Sequence, residues 1–355
     1  MYGEHDYEVL TSSREGLQRQ EDHFGSKQRH DTDGYNIIPF GYCTYRNRSD
    51  DGKFAFNINT ISEKAIVSKF YPVFRFTNAN STFMAEFLNS SPRVKKKLSV
   101  LAVGTSQVVL SFAALKAAKF DLPCKDEQDK IAAFLECLNT RIENQRTLVV
   151  ALKKYKRGVV DGIFSRKLNF SYPQTWAELE ISELFMPISD KGYSDKIVLT
   201  IVQGEGTMPR DSVDRRIAYD KSTISSYKRV LPNDFILHLR SFEGGLEIVN
   251  EEGVVSPAYT ILRARNEIIP LFFYTFFRSY WFINSKLRIS VEGIRDGKSI
   301  NMNTFWHIKV PVPSIEEQRH ISALISSIDN RIKIAEFEYK RLLQIRVGLM
   351  QQLFI

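Results

Sequence analysis

Sulfur is scarce in this chain: three cysteines (Cys43, Cys124, Cys137) among 355 residues, and no CxxC spacing. That excludes a disulfide framework, argues against structural zinc and suits a reducing, cytoplasmic setting. Long apolar runs are missing too. No stretch approaches the ~20 residues needed to cross a bilayer. The N-terminal MYGEHDYEVL is acidic and has no apolar signal core, so export is not expected. Signatures of catalysis are equally short. There is no GxGxxG, no HExxH and no NPPY-type loop for a flipped base. GIRDGKS (293–299) has three residues where phosphate cradling needs four between the glycine and GKS. Asp190-Lys191 and Asp195-Lys196 lack the further carboxylates of a metal nuclease. The six histidines are scattered, and His307, between Trp306 and Ile308, reads as a packed residue. The expectation is a chain that binds and organises, is not itself an enzyme, and holds no metal and no cofactor of its own.

What is present is a repeat. Residues 121–164 and 311–354 align without a gap at an offset of 190. Pro123 falls on Pro313, Glu127 on Glu317, Gln128 on Gln318, Arg141 on Arg331 and Phe164 on Phe354. In each copy, apolar residues recur in alternating steps of four and three, the seam of a coiled coil. The first seam runs through Ile131, Leu135, Leu138, Ile142 and Leu152 and is interrupted by Gln145 and Lys156. The second runs through Ile321, Ile325, Ile328, Ile332 and Leu342 and is interrupted by Arg346. At 1.5 Å per residue each copy predicts a rod of roughly 60 Å. Ser314 and Glu317 form an S-x-x-E start signal for the second rod; Cys124 replaces that serine in the first. Two rods with apolar stripes, separated by a whole domain, are expected to pair antiparallel. Lys156 and Arg346 could pair with a carboxylate, snorkel or face a partner; snorkelling is the expectation.

A fainter echo runs beyond the rods. VLTSSREG (9–16) parallels VLTIVQGEG (198–206), and IVSKFYPVFR (66–75) parallels VVSPAYTILR (254–263). Arg48-Ser49 parallels Arg240-Ser241, and GTSQ (104–107) parallels GKSI (297–300). The fold predicted is α+β: two pseudo-two-fold-related α/β domains joined by two long antiparallel helices forming a coiled coil. Domain boundaries are expected at 1–124, 125–166 (central helix), 167–313 and 314–355 (C-terminal helix). Module two has a lead-in, YPQTWAELEISELF (172–185), that predicts an extra strand and a buried Trp176. Module one is short before Val9, which leaves its completeness open.

A formal charge of +8 is compatible with a polyanionic partner. The loops supply candidates for phosphate and base contacts. In module one they are Arg14, Gln20, Arg46, Arg48, Ser49, Lys53, Thr105 and Ser106, with the run Lys95-Lys96-Lys97. In module two they are Arg210, Arg240, Ser241, Arg295, Lys298 and Ser299, with Arg215 and Arg216. Many such charges are simply solvated loop residues. Arg48/Arg240 and the Gly104/Gly297 turns stand out because both modules share them.

The rod pattern LPxxxEQxxIAxFLxxLxxRIE, the PVPSIEEQRHI start of the second rod and RSFEGGLEIVNEEGVVSPAYTIL (240–262) resemble the specificity subunits of type I restriction–modification systems. The resemblance covers nearly the whole chain. It implies two target-recognition domains, each reading half of a bipartite site on double-stranded DNA, with rods that set the spacer. It also implies two modification (methyltransferase) subunits as partners, carrying S-adenosylmethionine for adenine methylation. Restriction (motor-nuclease) subunits using Mg and ATP would complete the complex. A coiled-coil scaffold without sequence-specific DNA reading is the alternative, and a self-sufficient nuclease a distant third. If Arg240 contacts a base, Arg240→Ala is expected to weaken the second half-site by about 1–3 kcal/mol and spare the first. Binding curves on split sites decide it.

Overall fold

A computed structural model of the chain describes residues 7–25, 32–168, 175–213, 221–238, 245–293 and 298–354. The chain divides into two compact units, residues 1–147 with 336–355, and residues 148–335. The boundary falls within both rods, so each unit owns a stretch of each long helix.

Unit 1 opens with β1 (Glu8–Ser13), β2 (Gly16–Arg19), α1 (Gln20–Phe24), β3 (Asn36–Ile37), β4 (Cys43–Tyr45) and β5 (Arg48–Ser49). It continues through β6 (Phe56–Ile58), β7 (Ala65–Val67), β8 (Val73–Phe74), α2 (Ser81–Ser90), α3 (Pro92–Leu101), β9 (Val108–Val109), α4 (Phe112–Ala117) and α5 (Lys125–Phe164). Pro92 separates α2 from α3 because it has no N–H to extend the first helix. It is accommodated in the opening turn of the second, where Ser91 accepts from the Val94 N–H. The sheets run β2-β1-β7-β3 and β6-β4-β8. Tyr45, Phe56, Leu88, Val94, Leu98 and Leu110 form the core beneath the second sheet.

Unit 2 contains β10 (Ala177–Glu180), α6 (Ile181–Leu184), β11 (Phe185–Ile188), β12 (Leu199–Val202), β13 (Gly206–Pro209), β14 (Lys228–Val230), β15 (Phe235–His238) and β16 (Glu247–Ile248). Then come β17 (Gly253–Val255), β18 (Tyr259–Ala264), α7 (Pro270–Phe277), β19 (Val291–Glu292), β20 (Ser299–Ile300), α8 (Met302–Trp306), β21 (Lys309–Val312) and α9 (Ile315–Leu353). Its main sheet runs β11-β18-β15-β16. Helix α7 reads PLFFYTFF and buries Phe272, Phe273, Phe276 and Phe277. These rings meet Phe185, Phe235 and Phe282 largely edge-on or tilted, at 5.1–5.7 Å between centroids.

The seam positions turn inward. None of those in α5 is exposed, and Leu135, Val159 and Ile163 are buried. In α9 Ile321, Ile325, Ile328, Ile332 and Leu342 are buried, and only Leu353 in the final turn is exposed. Within unit 1, Ala132 and Leu135 of α5 pack with Met350 of α9 and with Phe354 just past its end, and Arg346 meets Asn139, so the helices run antiparallel there. In unit 2 the last turn of α5 reaches α7 through Phe164–Phe272, and the first turn of α9 reaches it through Gln318–Ile269. The direction is again antiparallel.

Three sequence readings need correction. Lys156 and Arg346 do not snorkel. Lys156 Nζ lies 2.6 Å from Asp329, and Arg346 donates to both oxygens of Glu86 at 2.7 and 2.9 Å and to Asn139 at 2.8 Å. At an offset of 190, Lys156 corresponds to Arg346 and Asn139 to Asp329. The two seams therefore hold equivalent polar pairs; where asparagine replaces the rod aspartate, Glu86 of α2 brings the carboxylate instead. A half-buried cation on a seam keeps its charge only if a partner offsets desolvation. Arg346→Ala is expected to cost unit 1 about 1–3 kcal/mol in urea unfolding, because it strands Glu86, whose side chain is 15% exposed. Second, Trp176 is half-buried rather than buried, stacked under Arg166 at 4.2 Å and edge-on to Phe272. The lead-in does supply the extra strand, β10, and its last residue, Phe185, opens β11. Third, His307 is exposed, its Nδ1 2.9 Å from Glu180. It lies at the C-terminal end of α8, just past the buried Phe305.

One device has no counterpart in the sequence reading. Gln128 and Gln318, both buried, make the same two bonds in their own units. Each donates its amide to the proline five residues earlier (Pro123 O at 2.9 Å, Pro313 O at 3.0 Å). Each accepts at 3.0 Å from the backbone N–H of the residue capping a globular helix, Asn80 before α2 and Ile269 before α7. The EQ pair in both repeats is thus the joint between rod and domain.

Candidate nucleic-acid interface

The β1–β2 hairpin of unit 1 turns through Arg14-Glu15. Ser13 closes the turn onto the Gly16 carbonyl, and Gly16 has φ +127°, a conformation that favours glycine. Asn57 on β6 pins the hairpin, donating to Ser12 Oγ at 2.8 Å and to the Ser13 carbonyl at 2.9 Å. In unit 2 the β12–β13 hairpin is pinned by another asparagine: Asn250 donates to the carbonyls of Glu205 (2.7 Å) and Thr207 (3.0 Å). Gly206 sits close under that pin, where a Cβ would come within 2.6 Å of the Ile248 carbonyl.

Unit 1 then presents a cleft of about 420 Å³. Its walls are the hairpin from Thr11 to Arg14, His23 and Phe24 of α1, and Arg46, Arg48, Ser49, Asp50 and Lys53 of the β4–β6 stretch, with Tyr71. A shallower hollow adjoins it, lined by Arg46, Asn47, Arg48, Ser68, Phe70, Tyr71 and Gln107. Arg14, Arg46, Arg48 and Lys53 are therefore brought together. Their side chains are exposed and outnumber the carboxylates beside them, so the cleft is cationic.

The other sequence candidates divide. Ser49 is buried and committed to its turn, accepting from the Lys53 N–H at 3.1 Å and donating to Asp51 at 2.9 Å. Thr105 and Ser106 are exposed on the turn before β9, which pairs with β5 and so abuts Arg48. That turn requires Gly104: at φ +137° a Cβ would sit 2.2 Å from the Gln107 carbonyl. Gln20 opens α1 but does not line the cleft; His23 and Phe24 of the same helix do. Lys95, Lys96 and Lys97 ride α3, where Lys97 lies over Phe120 at 5.1 Å. In unit 2, Arg210 follows β13, half-buried, with its charge near Tyr259. Lys298 is exposed, and Ser299 sits on β20. Arg215, Arg216, Arg240, Ser241, Arg295 and Gly297 lie outside the described residues.

Aromatics are the part of the site that sequence reasoning missed. Phe24 and Phe70 are 49% and 52% exposed, and Arg48 lies 5.3 Å over the Phe70 ring. The signal available is the run SKFY, aromatic and cationic together, which reads equally well as part of a strand.

Asp51 ties down two of the cleft's cations. It pairs with Arg14 at 2.5 Å and Lys53 at 3.7 Å. Its carboxyl is held below the ordinary range, first by the Ser49 hydroxyl, then by the Lys53 N–H and the Arg14 charge, against some burial. A depressed pKa means the pairing contributes above the unfolded carboxyl's pKa and is lost only as pH falls through the lower, folded value. Asp51→Asn is expected to free Arg14 and Lys53, raising affinity for duplex DNA several-fold and steepening its salt dependence by up to about 0.9 per phosphate gained. Fluorescence anisotropy across a salt series measures both.

Among the described residues no group of three or more His, Cys, Asp or Glu side chains could hold a metal, and no helix is long and apolar enough to cross a membrane.

Fold and cleft together define a class of protein: paired α/β modules, each closed by a long helix, with a cationic cleft in one. The family model for the type I restriction modification DNA specificity domain matches twice, over residues 3–152 and 173–344, and the chain belongs to that family. Two specificity subunits of type I restriction enzymes from Methanocaldococcus jannaschii, MjaX and MjaVIII, are each 24% identical, over 224 and 215 residues. Each match takes in 58% of this chain, and the chain spans about half the length of these relatives (51% and 47%). Among solved structures, the type I system S subunit from M. genitalium superposes with a TM-score of 0.54 at 18% identity, covering 100% of this chain and 90% of that one. A structure solved for complex assembly and conformational transition of the type I R-M system gives 0.55 at 16% identity, covering 90% and 83%. These likenesses are of fold.

Proposed function

We propose that this chain is the DNA-specificity subunit of a type I restriction–modification complex, each α/β module reading one half of a bipartite site. The observation that carries the reading is the cleft of unit 1: four exposed cations gathered on a pinned hairpin and its neighbours, in a chain whose family model matches twice. Arg14, Arg46, Arg48 and Lys53 supply phosphate and base-edge contacts, and Phe24 and Phe70 supply apolar walls. Thr105 and Ser106 border this surface; Arg210, Arg240, Ser241, Arg295, Lys298 and Ser299 do the corresponding work in the second module. The rods set the spacer, and their exposed faces dock two modification subunits. Those subunits, not this chain, bring S-adenosylmethionine and methylate adenine, and restriction subunits bring Mg and ATP.

The test is reconstitution. Mixed with its cognate modification subunit, the chain should give a complex that methylates a split sequence. No association, or methylation at sites unchanged by the chain, overturns the reading. A scaffold would bind DNA with little sequence preference at physiological salt, or not at all.

A further inference from the structure

The two units solve the same edge problem differently. In unit 2 one short segment covers two open backbones. Strand β10 pairs with β21, from Ala177↔Val312 to Glu180↔Lys309, and β11 pairs with β18, from Phe185↔Ala264 to Ile188↔Ile261. Between them α6, a single turn with a capping box between Glu180 and Glu183, inserts Ile181 and Leu184 into the core, followed by Phe185. Ile261, Leu262 and Val310 beneath this segment are 0% exposed.

Unit 1 has the same framework in the same register. Cys43↔Phe74 and Thr44↔Val73 between β4 and β8 reproduce Phe235↔Leu262 and Ile236↔Ile261 between β15 and β18. Yet β8 is the last strand of its sheet, and Val73 and Phe74 are only half-buried. Residues 119–122, which the 190 offset places on β21, form no strand; Leu122 is 39% exposed. Phe112, 5.2 Å from Phe74, is also 39% exposed. Among the described residues no strand lies on either edge. A free edge bordered by exposed apolar side chains is a template for strand addition, with backbone bonds giving affinity and alternate side chains giving selectivity.

We infer that unit 1 binds, along β8 and residues 119–122, an extended peptide segment of the chemistry that residues 175–188 supply in unit 2. Unit 2 states the chemistry of that segment: strand, one helical turn, strand, with large apolar residues at the positions of Leu179, Ile181, Leu184 and Phe185. These edges are distinct from the cleft residues, so strand binding and DNA reading stand or fall separately.

A synthetic peptide of residues 175–188, TWAELEISELFMPI, added to the full chain tests it by hydrogen exchange. The expected result is tenfold or greater slowing of the amides at 73–76 and 119–122, saturable with peptide. The same peptide carrying Leu184→Asp and Phe185→Asp should give no slowing. No protection at the highest soluble concentration overturns the inference. So does equal protection by the aspartate peptide, or protection confined to 261–264 and 309–312. Because only the peptide is varied, misfolding of the protein cannot mimic either result.

Discussion

Replacing Arg46 and Arg48 together by alanine is expected to weaken binding to the half-site read by unit 1 by roughly thirtyfold or more, each arginine being worth about 1–3 kcal/mol. Both side chains are exposed, and both line the cleft and its adjoining hollow. Arg48 is held at its place by backbone pairing to Val109 and by the Phe70 ring, so its guanidinium is partly ordered before DNA arrives. The slope of log affinity against log salt should become shallower by about 0.9 for each phosphate that is no longer neutralised. Thermal stability should move little, because exposed side chains away from packed features usually contribute within about 0.5 kcal/mol. An unchanged salt slope, or equal weakening on both halves, contradicts the assignment of the cleft.

Gln318→Leu carries the largest expected stability effect, a loss of about 2–4 kcal/mol in urea unfolding. Leucine is close in volume, so packing survives and the loss isolates the polar groups. It leaves the Ile269 N–H and the Pro313 carbonyl without the partners they have now, at a site where Gln318 is 1% exposed. Each stranded buried group costs about 1–3 kcal/mol. Gln128→Leu should behave alike, since Gln128 makes the matching bonds to Asn80 and Pro123. A loss below about 1 kcal/mol in both would show that water replaces the amide and that the rod–domain joint lies elsewhere.

What can be read from the letters follows distance along the chain. The rods are legible because a four-three apolar spacing is a local signal repeated over many turns, and every seam residue but Leu353 in the final turn is turned away from solvent at least in part. The pairing of Arg48-Ser49 with the Gly104 turn is hinted at by their shared presence in both modules. Contacts of long range are not legible. Asn57 reaches Ser12 across 45 residues, and its counterpart Asn250 does not share its aligned position, so no pattern marks either as a pin. The glutamines are visible as identical letters, but their role lies in backbone groups with no sequence signature of their own. Lys156 and Arg346 defeat a local reading because the carboxylates that meet them lie 173 and 260 residues away. Ser49 looks like a reader from composition; its burial and its bonds to the 49–53 turn make it part of the scaffold.

The most direct test of the central claim is a genome-wide map of adenine methylation in cells carrying the cognate modification subunit, with the chain, without it, and with its Arg46→Ala/Arg48→Ala form. The reading predicts one split motif that appears only with the chain, and that relaxes in one half only when the two arginines are removed. A methylation pattern indifferent to the chain, or a motif that fails in both halves alike, would contradict it.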